Sequence, residues 1–326
     1  MPYFSEIFGN ASSSHIYGMT VKKAVDMARL QVAQLINAEP KEIYFTSGST
    51  ESINWALKCF AEANVDRGNH IITACTEHKA VLSVCNYLES KGYEVTYLPV
   101  DASGLISLEN LQSAFRDSTI LVAVMYVNNE IGVIQNIAQI GAVCRERDIC
   151  FFTDATQAVG KLPINVVEEN IDMLALSGHK FYGPKGVGAL YIRRGLKISP
   201  LLHGGGQESE LRGGTYNSPS IIGLGKACEL AMDEMESRFQ DAISKRQMFE
   251  QLFVDKGYGE LNFARVKTSP YIMSFSLYTE DAQDFLIQVK DDFVASTGSA
   301  CSSGIIAESH VYKALGLTSN IVRVSI

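Results

Sequence analysis

The residue with the most chemistry to offer is Lys180. It closes the apolar run Leu174-Ala175-Leu176-Ser177-Gly178-His179-Lys180, and the turn Gly183-Pro184-Lys185-Gly186 separates it from a second apolar run over 187–191. An amine carried to the end of a buried strand can form a Schiff base when its surroundings remove its charge. A lone lysine in such a loop is more often a solvated charge. The choice between the two depends on which groups the rest of the chain brings beside it.

Other apolar runs end in the same way. Phe45 is followed by Thr46-Ser47-Gly48-Ser49-Thr50-Glu51, and 72–74 by Cys75-Thr76-Glu77-His78. The run 124–126 leads into Val127-Asn128-Asn129-Glu130, and 151–153 into Asp154-Ala155-Thr156-Gln157. Each alone reads equally well as a helix cap. Together they deliver hydroxyl and N–H donors, an imidazole, two amides, a carboxylate and an amine. Pyridoxal 5′-phosphate needs such a set: donors for its phosphate, a carboxylate for its pyridine nitrogen and a lysine for its aldehyde. Asp154 is the best carboxylate for that task, because an apolar strand delivers it and a facing pyridinium would keep it ionised.

The elements that must position these groups alternate. Strands are expected at 43–46, 70–74, 94–100, 120–126, 150–153 and 173–176. Helices are expected at 21–36, 48–63, 80–90, 108–115 and 137–147, where apolar residues recur at helical spacing. Such alternation predicts right-handed crossovers and a mostly parallel sheet covered on both faces, with ligands at the carboxyl ends of its strands. After Pro219 the pattern changes. A long helix over 221–253 leads to a strand at 271–277, a helix at 282–289, a short strand at 293–296 and a helix at 311–315. This predicts a large domain over 1–235 and a smaller α+β domain over 236–326, with the boundary inside the long helix.

Composition narrows the function classes. The 326 residues carry a net charge of −8, with 46% apolar and 20% charged residues, as in an ordinary globular protein without the basic face that nucleic acid favours. No apolar run reaches membrane-spanning length, and the first residues carry no signal-peptide pattern. The seven cysteines are irregularly spaced and include no Cys-x-x-Cys pair, so neither a metal site nor a disulfide framework is expected. A reducing cytoplasm suits them. Cys301 stands apart, in the small-residue stretch Gly298-Ser299-Ala300-Cys301-Ser302-Ser303-Gly304, which cannot bury it well. The loop His203-Gly204-Gly205-Gly206-Gln207-Glu208 lacks the context of a nucleotide-binding loop and reads as a glycine-rich loop near a dimer interface.

Six motifs occur in order: Phe45-Thr46-Ser47-Gly48-Ser49-Thr50-Glu51, Thr76-Glu77-His78-Lys79-Ala80-Val81, Asn128-Asn129-Glu130-Ile131-Gly132, Asp154-Ala155-Thr156-Gln157-Ala158, Ser177-Gly178-His179-Lys180 with its following turn, and the Cys301 stretch. In these the chain resembles the cysteine desulfurases of the NifS/IscS kind, in the class V aminotransferase family of fold-type I pyridoxal-phosphate enzymes. The resemblance runs from Phe8-Gly9-Asn10 to the last residues.

The resemblance implies an α/β fold with a seven-stranded sheet, a homodimer, and conversion of L-cysteine to L-alanine through a Schiff base with pyridoxal 5′-phosphate. Sulfur would be held as a persulfide on Cys301 and passed to an acceptor or iron–sulfur scaffold protein, with neither nucleic acid nor membrane as partner. Lys180 would be the Schiff-base lysine and Cys301 the nucleophile. His78 would stack on the ring and move protons, Asp154 would pair with the pyridinium, and Gln157 would bond the phenolic oxygen. Asn129 would contact ring or substrate. Ser49, Thr50, Ser177 and His179 would hold the phosphate, with Thr215 reaching a phosphate across the dimer. Arg323 would receive the substrate carboxylate. Family members also begin earlier and end later, so the chain reads as shortened at both ends. The alternatives are another class V enzyme, such as an aminotransferase or selenocysteine lyase, and an inactive binding partner.

Overall fold

The computed structural model describes residues 2–279, 281–297, 309–317 and 320–326. After a short α1 (Pro2–Ser5), α2 (Ile16–Leu35) leads to β1 (Ile43–Thr46). One helical stretch follows: α3 (Ser49–Asn54), a π turn (Trp55–Cys59) and α4 (Phe60–Ala63). Then come β2 (His70–Ala74), α5 (Lys79–Glu89), β3 (Glu94–Leu98), α6 (Leu108–Ala114), β4 (Thr119–Ala123), α7 (Ile137–Glu146), β5 (Cys150–Asp154), β6 (Met173–Ser177) and β7 (Gly188–Ile192). The long α8 (Ser218–Asp255) connects to β8 (Gly259–Leu261), β9 (Ile272–Leu277), α9 (Ala282–Val289), β10 (Ala295–Ser296), α10 (His310–Ala314) and β11 (Ile321–Ser325).

The expected seven-stranded sheet is present, in the order β1-β7-β6-β5-β4-β2-β3. Pairings from β6 through β3 are parallel, whereas β7 runs antiparallel to both β6 and β1. The reversal follows from the tight turn after Lys180, which returns the chain without a crossover helix. Every residue of β2, β4, β5, β6 and β7 is buried, as helices on both faces require. One face packs on α2, α7 and the first half of α8, the other on α3–α5. In α2, Val21, Val25, Ala28 and Val32 form the buried stripe. Gly225 of α8 lets the two helices close, since a Cβ there would lie 2.6 Å from Ala28 Cα.

A second, antiparallel sheet, β10-β11-β9-β8, has its own core. Phe253, near the end of α8, stacks on Phe275 at 3.9 Å and meets Phe285 of α9. The single helix α8 therefore enters both cores: Cys228 and Ala231 belong to the first, Phe253 to the second. Among the described residues no helix is long and apolar enough to cross a membrane.

One buried group makes stability depend on pH. His70, at the start of β2, is fully buried, with Nδ1 2.7 Å from Thr119 Oγ1 and Nε2 2.9 Å from Thr96 Oγ1. Burial, helped by the nearby Arg116, pushes its pKa down from 6.5 to about 4. The unfolded chain then binds the proton more tightly, so this contribution is complete above pH 6.5 and is lost as pH falls toward 4. The full loss is about 3 kcal/mol. Chemical denaturation across this range should show that decline, and His70→Gln should flatten it.

Candidate active site

The carboxyl ends of the central strands converge on one cavity of about 420 Å³. Its walls include Ser49, Thr50, His78, Asn129, Asp154, Gln157, His179, Lys180 and Arg323, nine of the residues singled out from the sequence. Ser177 lies just behind, buried, with Oγ 2.9 Å from His179 Nδ1. Thr215 is exposed and is not among the lining residues, and Cys301 lies outside the described residues.

One end of the cavity is built to hold an anion. Gly48 precedes α3 with φ +147°, a conformation glycine adopts readily. Ser52 N–H bonds back to the Gly48 carbonyl, and the N–H groups of Ser49, Thr50 and Glu51 precede the first intrahelical bond. Those free donors and the helix dipole favour negative charge there. Gly188 allows the close crossing, because a Cβ on it would lie 2.7 Å from Gly48 Cα. The loop is braced from below. Glu51 accepts from Ser47 N–H at 2.8 Å and from Arg212 Nε and Nη2 at 2.8 and 3.1 Å. Burial raises the Glu51 carboxyl, but Arg212 and Ser47 outweigh it and hold it below the usual range. His179 is pushed down by burial and by Lys180 and Lys185.

Asp154 ends β5 almost fully buried. Its Oδ1 accepts from Thr156 N–H at 3.0 Å and from the Thr156 hydroxyl, leaving Oδ2 without a protein donor among the described residues. His78 caps α5. Its Nδ1 accepts from Ala80 N–H at 3.1 Å, so in the neutral ring the proton sits on Nε2. Lys180 follows β6 on a single 3₁₀ turn, Gly178–Lys180, closed by Gly183 N–H bonding the Gly178 carbonyl at 2.8 Å. At the opposite wall Arg323, in β11, donates through Nη1 to the Asn129 carbonyl at 3.2 Å. Its Nε is buried without a partner among the described residues.

Several supports escaped the motif reading. Asn128 ties two strand ends together: Nδ2 donates to the Thr76 carbonyl at 3.0 Å while Oδ1 accepts from Glu130 and Ile131 N–H. Glu77 is fully buried. Burial pushes its carboxyl well above the usual range, against the bond from Met125 N–H at 2.7 Å and with the help of Asp154. Two bonds fasten the start of α10 behind His78 and Asn129. Ser309 Oγ donates to Glu130 Oε2 at 2.5 Å, and His310 Nε2 bonds the Glu77 carbonyl at 2.8 Å. Lys161 and Tyr271 complete the wall. Lys161 carries no signal at the level of pattern, since it lies in a turn with no period to read, and Tyr271 was readable only as the first residue of the expected strand 271–277.

The family model for class-V aminotransferases matches residues 1–326. The chain is 48% identical over 327 residues to the cysteine desulfurase IscS of Methanosarcina thermophila, covering all of this chain and 81% of that protein. A solved NifS-like protein superposes with a TM-score of 0.90 at 34% identity, covering 100% of this chain and 88% of the other. A structure of SspA in complex with cysteine superposes at 0.88 with 38% identity, covering 100% and 92%. The match spans both sheets and every wall of the cavity, and the chain belongs to the class-V aminotransferase family, among its cysteine desulfurases.

Proposed function

We propose that this chain is a cysteine desulfurase that binds pyridoxal 5′-phosphate in the cavity described, converts L-cysteine to L-alanine and holds the sulfur as a persulfide on Cys301. The observation that carries the reading is the joint lining of one cavity by Lys180, Asp154, His78, an anion-binding helix start and Arg323, whose buried Nε has no partner among the described residues. The donor set fits the cofactor. Ser49, Thr50, Ser177 and His179 would hold its phosphate, Asp154 its pyridine nitrogen and Gln157 its phenolic oxygen. His78 would lie on the ring, and Lys180 would hold the aldehyde carbon.

When bound, the cofactor supplies an electron sink for charge developing on the substrate carbon. Asp154, nearly fully buried, would set its carboxylate against the pyridine nitrogen in a nearly dry setting, where such a pairing acts most strongly. The Lys180 amine moves the proton on the substrate Cα. His78 offers its Nε2 proton from a ring fixed by the Ala80 bond. Arg323 and Asn129 orient the substrate through its carboxylate. The Cys301 thiolate attacks the substrate sulfur: an S–S bond forms, the C–S bond breaks, and its electron pair stays with carbon, which is protonated as alanine forms.

We infer that the chain works as a cytoplasmic homodimer and passes sulfur to an acceptor or scaffold protein. The exposed Phe8, Ile16 and Tyr17 and the exposed Thr215 favour a partner subunit. We place the domain boundary inside α8 near residue 235, so that 1–235 carry most of the first core, joined by Ala242, Tyr271 and Ile272, and 236–326 carry the second. The test is alanine formation from cysteine by the pyridoxal-phosphate-loaded protein. Arg323→Ala should raise KM for cysteine by about 10–100-fold, the worth of a hydrogen bond to a charged group. No alanine from the loaded wild-type protein would refute the proposal.

A further inference from the structure

Lys161 adds to the cavity wall an amine that none of the cofactor-holding residues accounts for. The turn that delivers it is tightly specified. Ala158 and Val159 are buried, and Gly160 has φ +74°. A Cβ on Gly160 would lie 2.7 Å from the Phe181 ring, so the turn presses against the residue that follows Lys180. Lys161 thereby reaches the same wall as Gln157 and Lys180. Its Nζ is 3.2 Å from Gln157 Oε1 and 5.3 Å from the centre of the Tyr271 ring.

A side-chain amide has two nearly isosteric orientations, one presenting oxygen to the cavity and the other presenting its NH₂ group. The backbone of the turn does not choose between them. An ammonium group donates and cannot accept, so only the amide oxygen can face it. Gln157 is then left with Nε2 as the group offered to a ligand. Burial and the neighbouring Lys180 push Lys161 down to about 8, which still leaves it mostly protonated at neutral pH.

We propose that Lys161 is a positioning residue: by donating to Gln157 Oε1 it turns the amide so that Nε2 faces the cavity as a hydrogen-bond donor. The identity of the acceptor, the phenolic oxygen of pyridoxal 5′-phosphate, rests on the function proposed above; the orientation of Gln157 does not. Selective ¹⁵N-glutamine labelling of the full chain without added cofactor reads that orientation directly, with the Gln157 amide signal assigned by its loss in Gln157→Glu. Lys161→Met should shift this side-chain amide signal, because the bond it removes polarises the amide through Oε1, while Lys161→Arg should keep the signal near its wild-type position. Thermal midpoints and a second variant, Lys161→Gln, separate this from misfolding. A wild-type Gln157 signal in a folded Lys161→Met protein would overturn the proposal.

With pyridoxal 5′-phosphate added, Lys161→Met should shift the visible absorption band as Gln157→Leu does, and the double variant should show no further shift. Additive shifts, or a raised KM for cysteine with both the band and the Gln157 signal unchanged, would overturn it in favour of a direct substrate contact. Absence of a visible band in the loaded wild-type protein would instead refute the cofactor reading, and the amide measurement would still decide the role of Lys161.

Discussion

Replacing Lys180 with alanine is expected to lower alanine formation from cysteine by at least about 10³-fold and to abolish the visible band of the bound cofactor. The two losses have one origin. Lys180 sits on a one-turn 3₁₀ segment at the end of the buried β6, facing the cavity that Asp154 and His78 also line. Its amine is asked both to hold the cofactor and to move the substrate proton. Lys180→Arg should fail equally, because a guanidinium keeps the charge but serves as neither nucleophile nor base at neutral pH. Lys185, exposed in the following turn, supplies the control, and Lys185→Ala should retain activity. Lys180 is only half-buried and is in none of the hydrogen bonds that close the loop, so the alanine variant should melt near wild type. A folded Lys180→Ala protein with most of its activity would remove the basis of the proposed function.

Replacing Cys301 with alanine is expected to reduce sulfur release to background while leaving the cofactor band unchanged. The other six cysteines are poorly placed to act as the nucleophile. Cys59, Cys85, Cys144, Cys150 and Cys228 are buried, and Cys75 is half-buried. Burial pushes every one of these thiols up, Cys59 to about 11 and Cys85 to about 12. Thiols so shifted are protonated at neutral pH and make poor nucleophiles. The remaining cysteine belongs to the small-residue stretch Gly298-Ser299-Ala300-Cys301-Ser302-Ser303-Gly304. Cys75→Ala, at the half-buried thiol, should therefore leave the rate within a few-fold of wild type. If Cys75→Ala abolished sulfur release and Cys301→Ala did not, the assignment would be reversed.

Asp154, His78, Asn129 and Lys180 were legible because each follows an apolar run, and a parallel sheet delivers all such ends to one edge. The helices over 16–35 and 218–255 were legible from their 3.6-residue spacing, although α2 begins five residues before its first apolar repeat and α8 three residues before its own. The reversal of β7 was not legible, because a buried strand has the same apolar run in either direction. Lys161 was hidden for a different reason. Its place depends on the contact of Gly160 with Phe181, a tertiary fit between segments 21 residues apart that no local pattern encodes. The same holds for Glu77, whose carboxyl is pushed up by complete burial and the nearness of Asp154. Arg323 was readable as a residue type, but the burial of its Nε, without a partner among the described residues, emerges only when β11 is paired between β9 and β10.

The mass of the Cys301-containing peptide, taken after the pyridoxal-phosphate-loaded protein meets cysteine without reductant, tests the account most directly. The account predicts a gain of one sulfur atom on Cys301, removed by dithiothreitol and absent in Lys180→Ala. Alanine accumulating while Cys301 stays at its unmodified mass would contradict it.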